Sequence, residues 1–406
     1  MRILVIGGGA SGMIAALTAA ENPENQVTLL ERQARLGRKL AATGNGRCNL
    51  TNLNTTLSCY HGENPAFLQP ALDAFGVSDT LDYFARLGLL TVAEPSGRVY
   101  PFSDQATSVV DILRLAIEQS HIQLETGCEV TELYYRDDAF FAQTEARRYA
   151  ADRVIVACGG MAGAKLGGTR SGYQMLKSFG HSCTKLYPAL VQLKTDPTWV
   201  KSLKGVRAEA GVQIFADSTQ LIATRGEVQF TEYGVSGPAI FEVSRAATSI
   251  AEPLTVVLDL VPMLDQTALT TLLEQKCRAF PNITLENFLT GILQNRLGRT
   301  LLRVCGYKLE SVAGSLKKRD LQKIAQTIKA FSLPIIGNMG MDQAQVTAGG
   351  IRTDEFDPNT LESKLQPGLY ACGEVLDIDG DCGGLNLQWA WSSGRLAGQL
   401  KGAEIL

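Results

Sequence analysis

The 406-residue sequence predicts an α/β protein in which a Rossmann-type domain is interrupted by an inserted antiparallel β-barrel and a helical subdomain. Three observations carry that prediction. A β-branched run, a G-x-G-x-x-G turn and an Ala/Leu-rich segment follow one another at the start of the chain. Short strand-like runs separated by turn residues fill residues 191–258, and a helical pattern follows over 259–336. Glycine-rich strand-and-loop motifs then return, so the first domain reads as discontinuous, 1–190 plus 337–406.

The first element is Arg2 to Ile6 (RILVI), a β-branched run without polar alternation, as expected of a strand buried on both faces of a parallel sheet. Gly7-x-Gly9-x-x-Gly12 follows at once, Met13 to Ala20 reads as a helix, and Gln26 to Leu30 reads as a second strand ending at Glu31. This is a complete βαβ unit. Gly7 turns the chain, Gly9 lets the backbone approach a pyrophosphate, and Gly12 lets helix and strand pack closely. The helix N-terminus then offers free N–H groups and a positive dipole end to the phosphates. Glu31, 19 residues beyond Gly12, can accept both ribose hydroxyls of an adenosine. An acid there disfavours a 2′-phosphate, which points to FAD or NAD rather than NADP.

Composition limits the alternatives. Apolar residues are 45% of the chain and charged residues 19%, enough to bury a large core. The formal net charge of −3 supplies no global field for nucleic acid or an acidic membrane. Nine cysteines without a C-x-x-C pair read as free thiols in a reducing cytoplasm, and three histidines without zinc spacing make a metal centre unexpected. The first twenty residues resemble a signal peptide, but Gly7, Gly8, Gly9 and Gly12 would break its apolar helix. No other segment approaches 18 uncharged apolar residues, so no membrane span is expected. Neither G-x-S-x-G nor a G-K-[ST] phosphate loop occurs.

Further along, Leu36 to Asn52 (LGRKLAATGNGRCNLTN) is polar and glycine-rich and reads as a binding loop. Arg153 to Gly160 (RVIVACGG) is a buried strand running into Gly159-Gly160, followed by Gly167-Gly168-Thr169 and Gly172. Gly368 to Gly373 (GLYACG) leads to Glu374, and Gly383-Gly384 precede a terminal helix in CGGLNLQWAWSSG. The order of these stretches is that of glutathione-reductase-like FAD domains. The whole chain also resembles one family within that group, the BaiN/YhiN-like flavoproteins, also called aminoacetone-oxidase-like FAD-binding enzymes. The carriers are RKLAATGNGRCNLTN (Arg38 to Asn52), GEVQFTEYGVSGPAI (Gly226 to Ile240), VTAGGI (Val346 to Ile351) and SKLQPGLYACGEVLDIDGDCGGLNLQWAWSSG (Ser363 to Gly394). Glu232 departs from the pattern, where many members carry His.

The resemblance implies FAD phosphates at Gly7, Gly9, Ser11 and Gly12, with adenosine ribose at Glu31 and Arg32 and adenine against the backbone of Val130. It implies Arg38 and Lys39 on the pyrophosphate or ribityl side, together with Gly373, Glu374, Asp381 and the Gly159-Gly160 turn. The loop Asn45, Gly46, Arg47, Cys48, Asn49 and Thr51 would run beside the isoalloxazine. Gly383, Gly384, Asn386, Leu387 and Gln388 would meet its pyrimidine ring, where a helix N-terminus also stabilises the charge of reduced flavin. Gly384→Val is therefore expected to exclude flavin while leaving much of the fold intact.

Candidate catalytic residues are Arg47, Cys48, Asn49, Glu232 and Tyr233. Cys48 reads as a redox or acid thiol or as a packed small residue; Arg47 as a ligand or a loop anchor; Glu232 and Tyr233 as substrate-facing or surface groups. At least one of Trp389 and Trp391 belongs to the core, because i and i+2 cannot share a helical face. The reading that follows is an FAD-dependent oxidoreductase with hydride transfer at flavin N(5), the barrel and helices capping the flavin over a small-molecule substrate. Activities implied by the family are amine oxidation, reduction of an enone or bile-acid ring, and reduction of ribosomal RNA uridine to dihydrouridine. From another class, a flavoprotein acting as a binding or assembly factor remains an alternative. No second G-x-G-x-x-G follows a strand, so NAD(P)H would dock transiently rather than on its own domain. Residues 290–330 carry nine basic residues, among them Arg296, Arg299 and Arg303 at helical spacing, against two acidic ones. That segment is either solvated surface or an rRNA-docking face.

Overall fold

The computed structural model describes residues 1–250 and 252–402. The chain forms two compact units, Met1–Pro188 with Ala344–Leu406, and Ala189–Gln343.

The first unit is organised by a five-stranded sheet in the order Leu369–Ala371, Arg153–Val156, Arg2–Ile6, Gln26–Glu31, Gln123–Thr126. Every pairing in it is parallel. Apolar runs without alternation produce this, because helices cover both faces and leave no position for a polar side chain. Ile3 to Ile6 and Val154 to Val156 are all buried. The strand order reverses at Arg2–Ile6, and the open crevice beyond the carboxyl ends at such a switch point is where ligands bind in this architecture.

The helix Leu385–Gly398 lies along the helix Ala10–Ala19 with almost no side chain between them. A Cβ on Gly398 would sit 2.6 Å from the Ala15 carbonyl oxygen, and one on Gly394 would overlap that of Ser11. Both Trp389 and Trp391 are buried, and each is satisfied by a backbone carbonyl, Trp389 by Gly373 (3.1 Å) and Trp391 by Leu50 (2.9 Å). Opposite faces of one helix can both be core because this helix is buried nearly all round. A small antiparallel sheet, Thr51–Asn52, Arg98–Pro101 and Thr91–Ala93, packs nearby in the same unit.

The second unit contains a closed six-stranded antiparallel barrel, in the order Leu193–Thr195, Gly234–Ser236, Thr219–Phe230, Arg207–Ala216, Leu254–Asp259, Phe331–Asn338. In Arg207–Ala216 the residues Ala210, Val212, Ile214 and Ala216 alternate inward, the period-2 pattern of a half-buried strand. Helices Gln266–Ala279, Asn295–Val304 and Lys318–Lys329 present Leu269 and Leu273, Leu297 and Leu301, and Leu321, Ile324 and Ile328 to the core. Each such side chain contributes about 1.5–3 kcal/mol on full burial.

Two sequence expectations are corrected. Among the short strand-like runs expected over residues 191–258, residues 219–230 are instead one long strand, Thr219–Phe230, which passes through Gly226 without breaking its pairing to Arg207–Ala216. The boundary expected at 336/337 falls inside the strand Phe331–Asn338, which closes the barrel, so the helical subdomain does not extend to 336. Its alternation, Phe331 and Leu333 buried with Ser332 and Pro334 exposed, is short and directly follows a helix of similar apolar content, which hides the change of period.

Candidate flavin site

The fingerprint glycines divide into two kinds. A Cβ on Gly7 (φ +112°) would overlap the Ala157 carbonyl oxygen on the neighbouring strand, and one on Gly12 would overlap the carbonyl of Gly7. Gly9 has nothing within 4 Å of its Cβ position, which leaves the start of the helix Ala10–Ala19 open to a ligand. That helix has no side-chain cap, so its first-turn N–H groups stay free for an anion. Glu31 is buried at the strand end, where Oε2 accepts from the Gly8 N–H and Oε1 from the Gln33 N–H, both at 2.6 Å. Those bonds fix the carboxylate while each oxygen keeps acceptor capacity for a hydroxyl.

Gly7, Glu31, Arg32, Val130, Thr169 and Met175 border one cleft in this unit. The resemblance implies Gly7 for the phosphates and Glu31, Arg32 and Val130 for the adenosine. Thr169 and Met175 were not singled out, although the double glycine before Thr169 signals the loop that carries it. Arg32 also donates through Nη2 to the carbonyls of Gly167 (3.0 Å) and Gly168 (3.3 Å), which ties that loop to the cleft.

Beyond this cleft, Lys39 Nζ pairs with Glu374 Oε2 at 2.7 Å, and Glu374 Oε1 accepts from the Thr347 N–H at 2.9 Å. A Cβ on Gly160 would stand 2.5 Å from both Glu374 and Thr347, and one on Gly373 (φ +77°) would stand 2.5 Å from Ser11 Oγ. Lys39, Gly160, Gly373, Glu374 and Ser11 are thereby gathered at the carboxyl ends of three parallel strands. Gly159 (φ +68°) has open space at its Cβ position. Arg38 is turned to Gln33 Oε1 (2.7 Å) and Asp381 to His61 Nε2 (2.7 Å).

The binding loop turns through left-handed backbone at Gly44, Asn45, Gly46 and Cys48. Cys48 is wholly buried, and burial pushes its thiol up to about 12, so at neutral pH it is a packed thiol rather than a thiolate. Arg47 is clamped by Asp104, by Glu94 (3.2 Å) and by the face of Tyr100, 4.1 Å from its guanidinium carbon. The Asp104 hydrogen bond raises its pKa further.

At the end of this loop, the turn Gly383-Gly384 starts the helix Leu385–Gly398, which has no side-chain cap. Beside Gly384 lies Asn49 Oδ1, a buried acceptor with no partner among the described residues. Free amides and an unmatched acceptor around one turn are what the donors and acceptors of a pyrimidine ring require. These residues fit FAD. The side chains of Asn386 and Gln388 are committed elsewhere. Asn386 bonds Gly380 in both directions (2.7 and 2.8 Å), and Gln388 bonds Thr51 (2.6 Å), Thr80 and Ser392 (both 2.9 Å). They offer a ligand backbone only, as does Leu387. One expectation is corrected: a valine at Gly384 cannot spare the fold, because its Cβ would lie 2.6 Å from the Thr51 backbone carbonyl in a residue at φ +97°.

Glu232 and Tyr233 belong to the second unit. Glu232 pairs with Lys204 at 2.8 Å, both exposed, and this bond holds the carboxyl below its usual range. On the helix Asn295–Val304, Arg299 is bound to Glu286 (3.4 Å), while Arg296 and Arg303 are exposed. Lys329 is held by Asp259 (2.6 Å). Among the described residues no two cysteines form a disulfide, and the thiols of Cys158 and Cys372 near the fingerprint are pushed up to about 12 by burial. Among the described residues, no helix is long and apolar enough to cross a membrane.

Fold and site together define a Rossmann-type FAD-dependent oxidoreductase. The chain belongs to the family described as HI0933-like protein Rossmann domain, which it matches over residues 1–400. It is 41% identical over 402 residues to the 3-dehydro-bile acid delta(4,6)-reductase of Clostridium scindens, covering 98% of each chain. It is 30% identical over 391 residues to the ribosomal RNA dihydrouridine synthase of Escherichia coli, covering 96% of this chain and 95% of that one. To the enzyme of the same name from Haemophilus influenzae it is 28% identical over 397 residues, covering 96% of each.

Proposed function

We propose that this protein reduces a carbon–carbon double bond conjugated to a carbonyl, with NAD(P)H docking transiently as reductant. The observation that carries this reading is the agreement between two relatives aligned over nearly the whole chain. A delta(4,6)-reductase of a 3-dehydro-bile acid and a dihydrouridine synthase act on unlike molecules, yet both names denote addition of hydrogen to a ring double bond. The 41% identity to the first favours a small apolar enone over a nucleic acid.

FAD, when bound, supplies hydride chemistry at N(5). The protein's own residues do the rest. Gly9 and the first turn of Ala10–Ala19 receive the pyrophosphate, Glu31 the ribose, and the Lys39–Glu374 pair borders the ribityl chain. The N-terminus of Leu385–Gly398 and the Asn49 amide hold the pyrimidine edge, where preorganised dipoles stabilise negative charge. Arg47, clamped on three sides, keeps the loop beside the isoalloxazine rigid.

The test is anaerobic. The flavin of the purified protein is bleached by NADH or NADPH and then mixed with a conjugated enone, the matching saturated ketone and an amine. Reoxidation by the enone alone supports the reading; bleaching of oxidised flavin by the amine overturns it in favour of an amine oxidase.

A second reading, uridine in RNA as substrate, draws on the exposed basic residues Arg296, Arg303, Lys308, Lys317, Lys318 and Arg319. RNA affinity would then fall with salt, and Arg296→Ala with Arg303→Ala would flatten the log–log slope by about 1.4, at roughly 0.7 per phosphate contact. Undetectable RNA binding at low salt sinks it.

A further inference from the structure

Arg98 opens the strand Arg98–Pro101 and pairs in register with Asn52 across an antiparallel ladder, so the two side chains share a face. Asn52 Nδ2 donates to the Gly383 carbonyl at 2.9 Å. A Cβ on Gly383 would lie 3.2 Å from Arg98 Nε and 3.3 Å from Asn52 Nδ2. The Arg98 side chain therefore lies against the turn that starts the helix Leu385–Gly398. It is half-buried, and among the described residues its guanidinium makes no hydrogen bond or ion pair. Arg47, two residues along the same sheet face at Tyr100, is by contrast clamped by two carboxylates. A half-buried guanidinium with five donors and no carboxylate partner is matched to a planar carbonyl or oxyanion.

We propose that Arg98 is a positioning residue for the cofactor's charge: the fixed cation at the Gly383-Gly384 turn, facing the pyrimidine carbonyl edge of FAD and favouring its reduction. The proposal rests on the flavin placement above. Hydride from the nicotinamide brings two electrons and one proton, which leaves the cofactor one negative charge richer; Arg98 neither forms nor breaks a bond. With the helix N-terminus it would make that edge electropositive from two sides of the turn, while Asn49 Oδ1 stays available as an acceptor.

The test compares wild type with Arg98→Met and Arg98→Lys as FAD-loaded protein, reading flavin content, melting temperature, midpoint potential and affinity for sulfite, an anion that adds to flavin without any substrate. Both variants should keep their flavin. Arg98→Met should bind sulfite about tenfold more weakly, with reduction about tenfold less favourable, a shift of about 30 mV for a two-electron couple. Arg98→Lys should recover most of both. An unchanged potential and sulfite affinity in a flavin-bearing Arg98→Met overturns the proposal, and so does a rise confined to KM for an anionic substrate, which would make Arg98 a substrate anchor. If Arg98→Met is too unstable to load, Arg98→Gln carries the same comparison. Wild-type protein that retains no FAD fails the underlying placement instead, which separates the two.

Discussion

In the proposed FAD site, a single βαβ unit would supply almost everything at the adenosine end within the first 31 residues: Gly9 for approach, the helix start for phosphate, Glu31 for ribose. At the flavin end the parts come from residues 44–52, 97–101 and 380–388, joined by bonds such as Thr51 to Gln388 and Asn52 to Gly383 that span more than 300 residues of sequence. The adenosine end can therefore be assembled by local chain geometry. The flavin end exists only once the unit is folded, so damage there should reach stability and cofactor together, whereas at the adenosine end the two can be separated.

The sharpest separation is between two neighbouring glycines. Gly12→Val drives a side chain into the Gly7 carbonyl and should cost about 3 kcal/mol or more, read as a large fall in melting temperature or loss of soluble protein. Gly9→Ala enters open space and should leave the apoprotein's melting temperature within a degree or two while lowering bound FAD. Equal damage from both would erase the distinction drawn here.

Next in size is Glu31→Ala. Loss of a charge-assisted acceptor worth about 1.5–3 kcal/mol should raise the FAD dissociation constant about 10- to 150-fold. Equal flavin retention after dialysis would remove Glu31 from the ribose site. At the flavin end, Gln388→Leu strands the Thr51 and Thr80 hydroxyls in a buried network, at about 1–3 kcal/mol. Here flavin content and denaturation midpoint should fall in parallel; loss of flavin alone would contradict the comparison.

The smallest effect is in pH. His181 is buried between Glu355 (2.9 Å) and Ser363 (2.8 Å) and stacked on Phe356. Burial lowers its pKa below the ordinary 6.5, against a smaller opposite pull from Glu355. The folded state thus resists a proton that the unfolded chain accepts, so stability should be full above pH 6.5 and decline as pH falls from there through the lowered folded value. Melting temperatures of wild type and His181→Gln across pH 7.5 to 5 check this: the wild type should show the steeper acid loss.

How much was legible in the sequence follows the same division. The βαβ unit and Glu31 could be derived from spacing, because their geometry is set by residues close in the chain. Most barrel strands were legible as short runs set off by turn residues; Gly234–Ser236 and Phe331–Asn338 were missed, the second where its alternation abuts a helix. The flavin end was reached only by resemblance. Even there the side chains of Asn386 and Gln388 proved to brace the protein itself, which no spacing rule shows. Arg98 and His61 gave no signal at all, since the turn beside Arg98 and the Asp381 that meets His61 lie almost 300 residues or more away along the chain.

The central claim, a flavin that passes hydride to a conjugated double bond, is tested most directly by one anaerobic single-turnover experiment. Protein reduced with one equivalent of NADPH, or of NADH if NADPH does not react, is mixed with a cyclic enone, and flavin absorbance and product are followed together. The account predicts that yellow colour returns in step with one equivalent of the saturated ketone. Flavin that stays bleached until oxygen is admitted, with the enone untouched, would contradict it.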